Sequence, residues 1–360
     1  MFNVYNFNPG PSALPSEVKR RAKEEGFSKD VSVMELSHRS KEYENIHFGT
    51  KEKIKHLLSV PDHYDILFLQ GGASLQFAML PMNFLTPGKK AGYVLTGSWS
   101  EKAFEEASRC GETYTYASGA HDQYRSIPEI HTWEPSENTA YLHLTSNNTI
   151  YGTQWYSLPE PHLDTPVFID ASSDIFSKPV NWSKVDLLYA GAQKNAGPSG
   201  VTIVIVRKDL LEDANTTIPK ILQYTTHQKK DSLYHTPPTF SIYTMGLVMD
   251  WLKDQGGVEK IYETNAEKAG LLYKLMDESD HFYQPHADQL SRSMMNITFR
   301  LPSVELEQEF LSHAKEEGFI GLKGHRSIGG CRISLYNAVT LQSVNALHDF
   351  MNAFRRNHSC

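Results

Sequence analysis

The chain carries a series of short, unbroken apolar runs, each closed by glycine, serine or asparagine. Tyr64–Leu69 (YDILFL) is the first, and Ala91–Thr96, Tyr141–Thr145, Val167–Asp170, Leu187–Ala190 and Val201–Val206 repeat the pattern. Runs of four to six apolar residues between turn signals read as buried strands. Helical spacing appears over 16–27, 41–59, from 73 onward and over 100–110, and Ser16 is the predicted N-cap of the first helix. Strands apolar on both faces, alternating with helices, predict an α/β fold around a mostly parallel sheet. The rhythm changes after Ser232. Thr236-Pro237-Pro238-Thr239 punctuates the chain, and helices over 240–255, 258–276, 304–317 and 341–355 follow, with strands over 295–300 and 332–336. We therefore expect an irregular N-terminal arm over 1–15, a large domain over 16–255 and a smaller α+β domain over 256–360.

Composition narrows the possibilities. A chain of 360 residues has room for a large core, and its net charge of −7 disfavours nucleic acid and anionic membrane as partners. No apolar run approaches the roughly 20 residues of a membrane span. The N-terminus lacks the basic start and apolar stretch of a signal peptide. Cys110, Cys331 and Cys360 have neither metal-ligand spacing nor a disulfide framework. These features predict a cytoplasmic protein with no metal site.

The candidate chemistry sits at strand ends. In DLLYAGAQKNAGPSG (186–200), a strand delivers Lys194 into a cluster of breakers before the next strand. A lysine held there with little water has its charged form disfavoured, which frees an amine to attack a carbonyl. A surface lysine on a β-turn has the same local sequence. Asp170 closes PVFID, and in open α/β sheets ligands bind at the carboxyl ends of strands. An ion pair between Asp170 and Lys194, or a helix cap, is the ordinary alternative. Gly71-Gly72 before Ala73 and Ser74 places free N–H groups at a helix start, where an anion binds. Trp99 (TGSWS) offers a flat face or simple packing, and Thr149 (TSNNTIYG) a hydroxyl for a ligand or for solvent. Together these groups describe a ligand with a phosphate, an aromatic ring, a ring nitrogen suited to a carboxylate and an aldehyde suited to an amine. Pyridoxal phosphate has all four.

Longer segments extend the pattern: FNPGPSALP, SVMELSHRS, LFLQGGASLQFAMLPMNF, LTGSWS, DASSDI, YAGAQKNAGPSGVTIVIVR, TPPTF, MNITFR and GLKGHRSIGGCRISLYNA. With these, nearly the whole chain resembles the phosphoserine aminotransferases, a family of fold-type I, class V pyridoxal-phosphate enzymes. The resemblance implies a seven-stranded sheet and a homodimer with shared active sites. The implied reaction moves an amino group between L-glutamate and 3-phosphohydroxypyruvate in L-serine biosynthesis, with the analogous 4-phosphohydroxythreonine step of pyridoxine biosynthesis as a further activity. It implies that Lys194 carries the cofactor covalently, Asp170 faces the ring nitrogen, Trp99 stacks on the ring and Thr149 bonds the ring hydroxyl side. Ala73, Ser74 and Gln193 would hold the phosphate, with His235 and Thr236 reaching it from the other subunit. Arg332 would take the α-carboxylate, and His38, Arg39, His325 and Arg326 the distal phosphate or carboxylate. Three positions depart from the pattern of similar proteins: His235 stands where many relatives have Asn, Asn148 where many have Glu, and Ser74 where some have Arg. Two other readings remain open from sequence: a desulfurase or lyase on the same scaffold, and a non-catalytic anion- or nucleotide-binding protein.

Overall fold

The computed structural model describes residues 4–27, 30–162 and 165–358. Its centre is a seven-stranded sheet of β1 (Tyr64–Leu69), β2 (Lys90–Leu95), β3 (Glu112–Ser118), β4 (Thr139–Thr145), β5 (Val167–Asp170), β6 (Leu187–Gly191) and β7 (Thr202–Arg207). The spatial order is β1-β7-β6-β5-β4-β2-β3. β7 runs antiparallel to both β1 and β6, and the other neighbouring pairs are parallel.

The unbroken apolar runs are explained by what covers each face. On one face Val94, Leu142, Leu144, Ile169, Leu188 and Ile203 pack with Ile54 of α2 (Lys41–Leu57) and with Ile242, Met245 and Leu252 of α5 (Thr239–Asp254). On the other, Tyr93, Tyr141, Phe168, Tyr189 and Val204 pack against Phe77, Met79 and Leu80 of α3 (Gly72–Phe84) and Ala103 and Ala107 of α4 (Ser98–Cys110). Side chains alternate across a strand, so residues 203 and 204 serve opposite faces, and both must be apolar.

The sequence misses one strand of this sheet and misplaces one cap. β3 is an edge strand, ETYTYAS, with mostly half-exposed positions, so it lacks an apolar run. Ser16 does not cap α1 (Ser16–Gly26) but is its first residue. Pro15 precedes it with φ −55°, already suited to entering a helix, and no side-chain cap bond forms. Ser40, in contrast, caps α2 by accepting from the Tyr43 N–H.

After α5, α6 (Gly257–Asp277) leads to β8 (Asn296–Arg300), α7 (Val304–Glu316), β9 (Cys331–Ser334) and α8 (Leu341–His358), with β8 antiparallel to β9. A second core forms here, including Leu272, Met276, Ile297, Phe299, Phe310, Ile333, Leu347 and Phe354. Phe7 from the N-terminal arm is fully buried in it, and Tyr5–Asn6 pairs in parallel with Phe319–Ile320. Buried polar side chains join this part to the sheet: Asn147 donates to Ser173 Oγ and Asn296 Oδ1, both at 2.8 Å, and accepts from Ser293 Oγ at 2.5 Å. Among the described residues, no helix is long and apolar enough to cross a membrane, and no group of three or more His, Cys, Asp or Glu could hold a metal. Cys110 is exposed and Cys331 buried, both free. Cys360 lies outside the described residues.

Candidate active site

A cavity of about 260 Å³ opens at the carboxyl ends of β4, β5 and β6, the position expected for a ligand site in an open α/β sheet. Its lining includes Ala73, Ser74, Trp99, Thr149, Asp170, Gln193 and Lys194, seven of the residues singled out from sequence. Asn147, Thr145, Ser172 and Ser173 complete much of the wall.

Each group is placed by its element. β6 ends at Gly191, and the breakers of 195–200 turn the chain back into β7, leaving Lys194 on the turn. Its Nζ donates to Thr149 Oγ1 at 2.7 Å and lies 5.9 Å from the centre of the Trp99 ring. Burial is the main cause that pulls the Lys194 pKa down, to about 8. Asp170 opposes that shift, and the positive charge of Arg332 adds to it. Asp170 is the last residue of β5 and is buried; one carboxylate oxygen accepts from the Ser172 N–H at 2.9 Å. Desolvation raises its pKa, while Ser172 and Lys194 oppose the rise.

The α3 start is an anion cradle. Gly71 and Gly72 take φ +84° and +64°, conformations that suit glycine, and lead the backbone sharply into the helix. No side chain caps this end and no acidic residue lies in its first turn, so its N–H groups are free for an anion. Ser74 is exposed at the same end. Trp99 is the second residue of α4 rather than the end of the preceding strand, and the exposed Lys102, one turn on, lays its Nζ 4.3 Å from the ring centre. Asn148 is buried and occupied structurally, accepting from Thr96 Oγ1 and donating to Thr153 Oγ1.

Arg332, on β9, is 6% exposed, so it is not a solvated surface charge. Its Nη1 donates to the Thr149 carbonyl at 3.2 Å, and its buried Nε has no partner. Among the described residues no carboxylate lies within ion-pair distance of Arg332, Arg326 or Lys102, whereas Arg20, Arg21, Arg125, Arg207, Arg292 and Arg300 are all paired. His325 is held below its ordinary pKa, first by desolvation and then by the charges of Arg332, Arg326 and Lys102. A buried guanidinium without a counter-ion, with further cations near it, is a site for an anionic ligand.

A family model for class-V aminotransferases matches residues 4–347. The chain belongs to the class-V aminotransferase family. A phosphoserine aminotransferase of Geobacillus kaustophilus is 56% identical over 359 residues, covering 99% of each chain. The solved phosphoserine aminotransferase of Bacillus circulans subsp. alkalophilus superposes with a TM-score of 0.97 at 48% identity, over 99% of each chain. That of Trichomonas vaginalis, solved with pyridoxal phosphate bound, gives 0.90 at 34% identity over 97% of this chain and 100% of that one.

In this class-V aminotransferase, Arg332, His325 and Arg326 are not among the residues lining the cavity of a single chain, and neither are His38 and Arg39 nor His235 and Thr236, the last two expected from the other subunit. His235 and Thr236 do not line it: Gln70 donates from Nε2 to His235 Nε2 at 2.9 Å and to the Thr236 carbonyl at 3.2 Å. His38 and Arg39 lie in the segment leading into α2, with Arg39 exposed, and neither lines the cavity of a single chain. Conversely, the N-terminal arm comes close unannounced. The Ser12 N–H donates to the Gln193 carbonyl at 3.0 Å, Ser12 Oγ donates to the Lys194 carbonyl, and a Cβ on Gly10 would lie 3.2 Å from Lys194 Cγ. The arm's glycine and prolines signalled irregular backbone, but not where it would pass.

Proposed function

We propose that the chain transfers an amino group between L-glutamate and 3-phosphohydroxypyruvate, giving O-phospho-L-serine and 2-oxoglutarate, as a pyridoxal-phosphate-dependent aminotransferase. The observation that carries this reading is one cavity lined by a lysine amine of lowered pKa, a buried carboxylate and an open helix N-terminus, beside a buried guanidinium, that of Arg332, which donates to the carbonyl of the lining residue Thr149 and has no ion-pair partner among the described residues.

The residues present fit the cofactor. The N–H groups at Ala73 and Ser74, with Gln193, would hold its phosphate. Trp99 would lie on its ring, Thr149 beside its hydroxyl, Asp170 at its ring nitrogen and Lys194 at its aldehyde. When bound, pyridoxal phosphate supplies an aldehyde for an amine and an electron sink for the charge left by a departing α-proton. An ionised Asp170 would hold a positive charge at the ring nitrogen and so deepen that sink. Arg332 binds the α-carboxylate of either substrate through a planar donor fork. This fixes the α-carbon near Lys194 Nζ. The Nζ, poorly solvated, is partly neutral near pH 8; it takes the α-proton and later gives a proton back. Thr149 Oγ1 orients the same amine. The distal phosphate or carboxylate falls to Arg39, His325 and Arg326, with His38 beside them. In a homodimer, His235 and Thr236 would complete the phosphate cradle of the partner subunit. The division into an arm, a large domain to 255 and a small domain from 256, and a cytoplasmic location, belong to the same reading.

A screen of amino donors and keto acceptors on the purified protein tests it. Glutamate and 3-phosphohydroxypyruvate should be the best pair with ping-pong kinetics, and Lys194→Ala should abolish turnover. Borohydride should fix the cofactor to wild type and not to Lys194→Ala. Wild-type turnover by that variant refutes the assignment, and sulfide release exceeding glutamate-dependent transfer would favour the desulfurase.

A further inference from the structure

Lys268, on α6, is fully buried and far from any solvated role. Its Nζ donates to three backbone carbonyls, those of Leu335 at 3.0 Å, Tyr336 at 3.1 Å and Val339 at 3.0 Å. Among the described residues no carboxylate pairs with it. Burial pulls its pKa down to about 7. The donor count argues against a neutral amine: an ammonium has three N–H groups for three acceptors, whereas an amine would turn a lone pair toward one of the oxygens. The carbonyl cage therefore favours the charged form against the desolvation.

The caged segment leads back to the cavity. Asn337, between two of the caged carbonyls, donates its backbone N–H to Asn195 Oδ1 at 2.9 Å, and Asn195 follows Lys194 directly. One turn before Lys268 on the same helix, Asn265 donates to Asn337 Oδ1 at 2.9 Å, and Asn337 Nδ2 reaches the Phe176 carbonyl at 2.9 Å. Tyr336 donates to the Pro9 carbonyl at 2.8 Å, just before Gly10 on its close approach to Lys194. We propose that Lys268 is a positioning residue for Lys194: by gathering the carbonyls of 335, 336 and 339 around one ammonium, it sets the turn that clamps Asn195 and the arm, and so holds Lys194 in its dry place.

The part of this inference that concerns Lys194's surroundings is independent of the proposed reaction; the kinetic part rests on it. The test replaces Lys268 by Met, which removes every donor at similar length, and by Gln, which keeps two. In cofactor-free protein, cyanate carbamoylation of Lys194, followed by peptide mass spectrometry across pH, reports its pKa. Loosening the turn admits water, so the midpoint should rise from about 8 toward the ordinary lysine value, more in Lys268→Met than in Lys268→Gln. In the loaded enzyme kcat should fall about tenfold, while KM for glutamate changes less than about threefold, because Arg332 is held separately by the pairing of β9 with β8. If Lys268→Met does not accumulate, Asn195→Ala, which removes the acceptor for Asn337, should give the same rise in midpoint. A lower melting temperature with an unmoved Lys194 midpoint, in whichever variant accumulates, overturns the proposal.

Discussion

Arg332→Met offers a test in which binding and stability should move in opposite directions. The wild-type guanidinium is buried, keeps one bond to the Thr149 carbonyl and leaves Nε unpartnered, and among the described residues no carboxylate lies within ion-pair distance of it. Burial holds its pKa below the usual arginine value, the sign of an environment that disfavours the charge. A substrate carboxylate supplies the missing partner. Cutting a desolvated arginine–carboxylate pair costs about 2–5 kcal/mol. A loss of about 3 kcal/mol corresponds to roughly 150-fold in kcat/KM. The loss should fall on glutamate and on O-phosphoserine alike, since both present the same α-carboxylate. Without substrate, removing a charge that lacks a counter-ion should leave the melting temperature unchanged or raise it by about 1–2 °C. Steady-state kinetics in both directions, with thermal melts of the substrate-free protein, check both halves. A loss confined to one substrate, or a clear fall in melting temperature with kcat/KM little changed, would show that Arg332 is a structural cation.

Two further perturbations bear on the same cavity. Asp170→Asn should lower kcat by about 100-fold or more, by removing the negative charge expected at the ring nitrogen; an unchanged kcat would assign that charge elsewhere. The variant should also stabilise cofactor-free protein at neutral pH. Burial raises the folded-state pKa of Asp170, so wild type loses stability as pH climbs above the unfolded value, and the gain from Asn should shrink as pH drops toward 4; melts at pH 7.5 and pH 4 that give equal gains contradict this. Gly10→Ala should reduce activity about tenfold through strain at φ +138° and a Cβ 3.2 Å from Lys194 Cγ, read as kcat with normal substrate KM; wild-type kcat would show that the arm yields freely.

What could be read from the sequence follows from how local each signal is. β1, β5, β6 and β7 were legible because strands buried on both faces must be apolar throughout, and their ends set Asp170 and Lys194 at the cavity. β3 was not, because an edge strand half open to water tolerates Glu112, Thr113 and Thr115. Trp99 was found, but its element was misjudged, since α4 begins two residues before the predicted start. The burial of Arg332 was invisible, because strand sequence does not say which face a neighbouring part covers. The approach of Ser12 to Lys194 joins residues 182 apart, and no local pattern encodes such a contact. His235 and Thr236, expected at the partner subunit's phosphate, sit beside Gln70 of their own chain.

The crossing of the arm over the lysine turn has a consequence for how the protein is made. Residues 5–6 find their strand partners only at Phe319 and Ile320. A ribosome that has just released Lys194 has yet to synthesise them. The arm must therefore wait for a strand made well after the lysine turn before it can pair, and the nest around the amine closes later than the sheet that carries it.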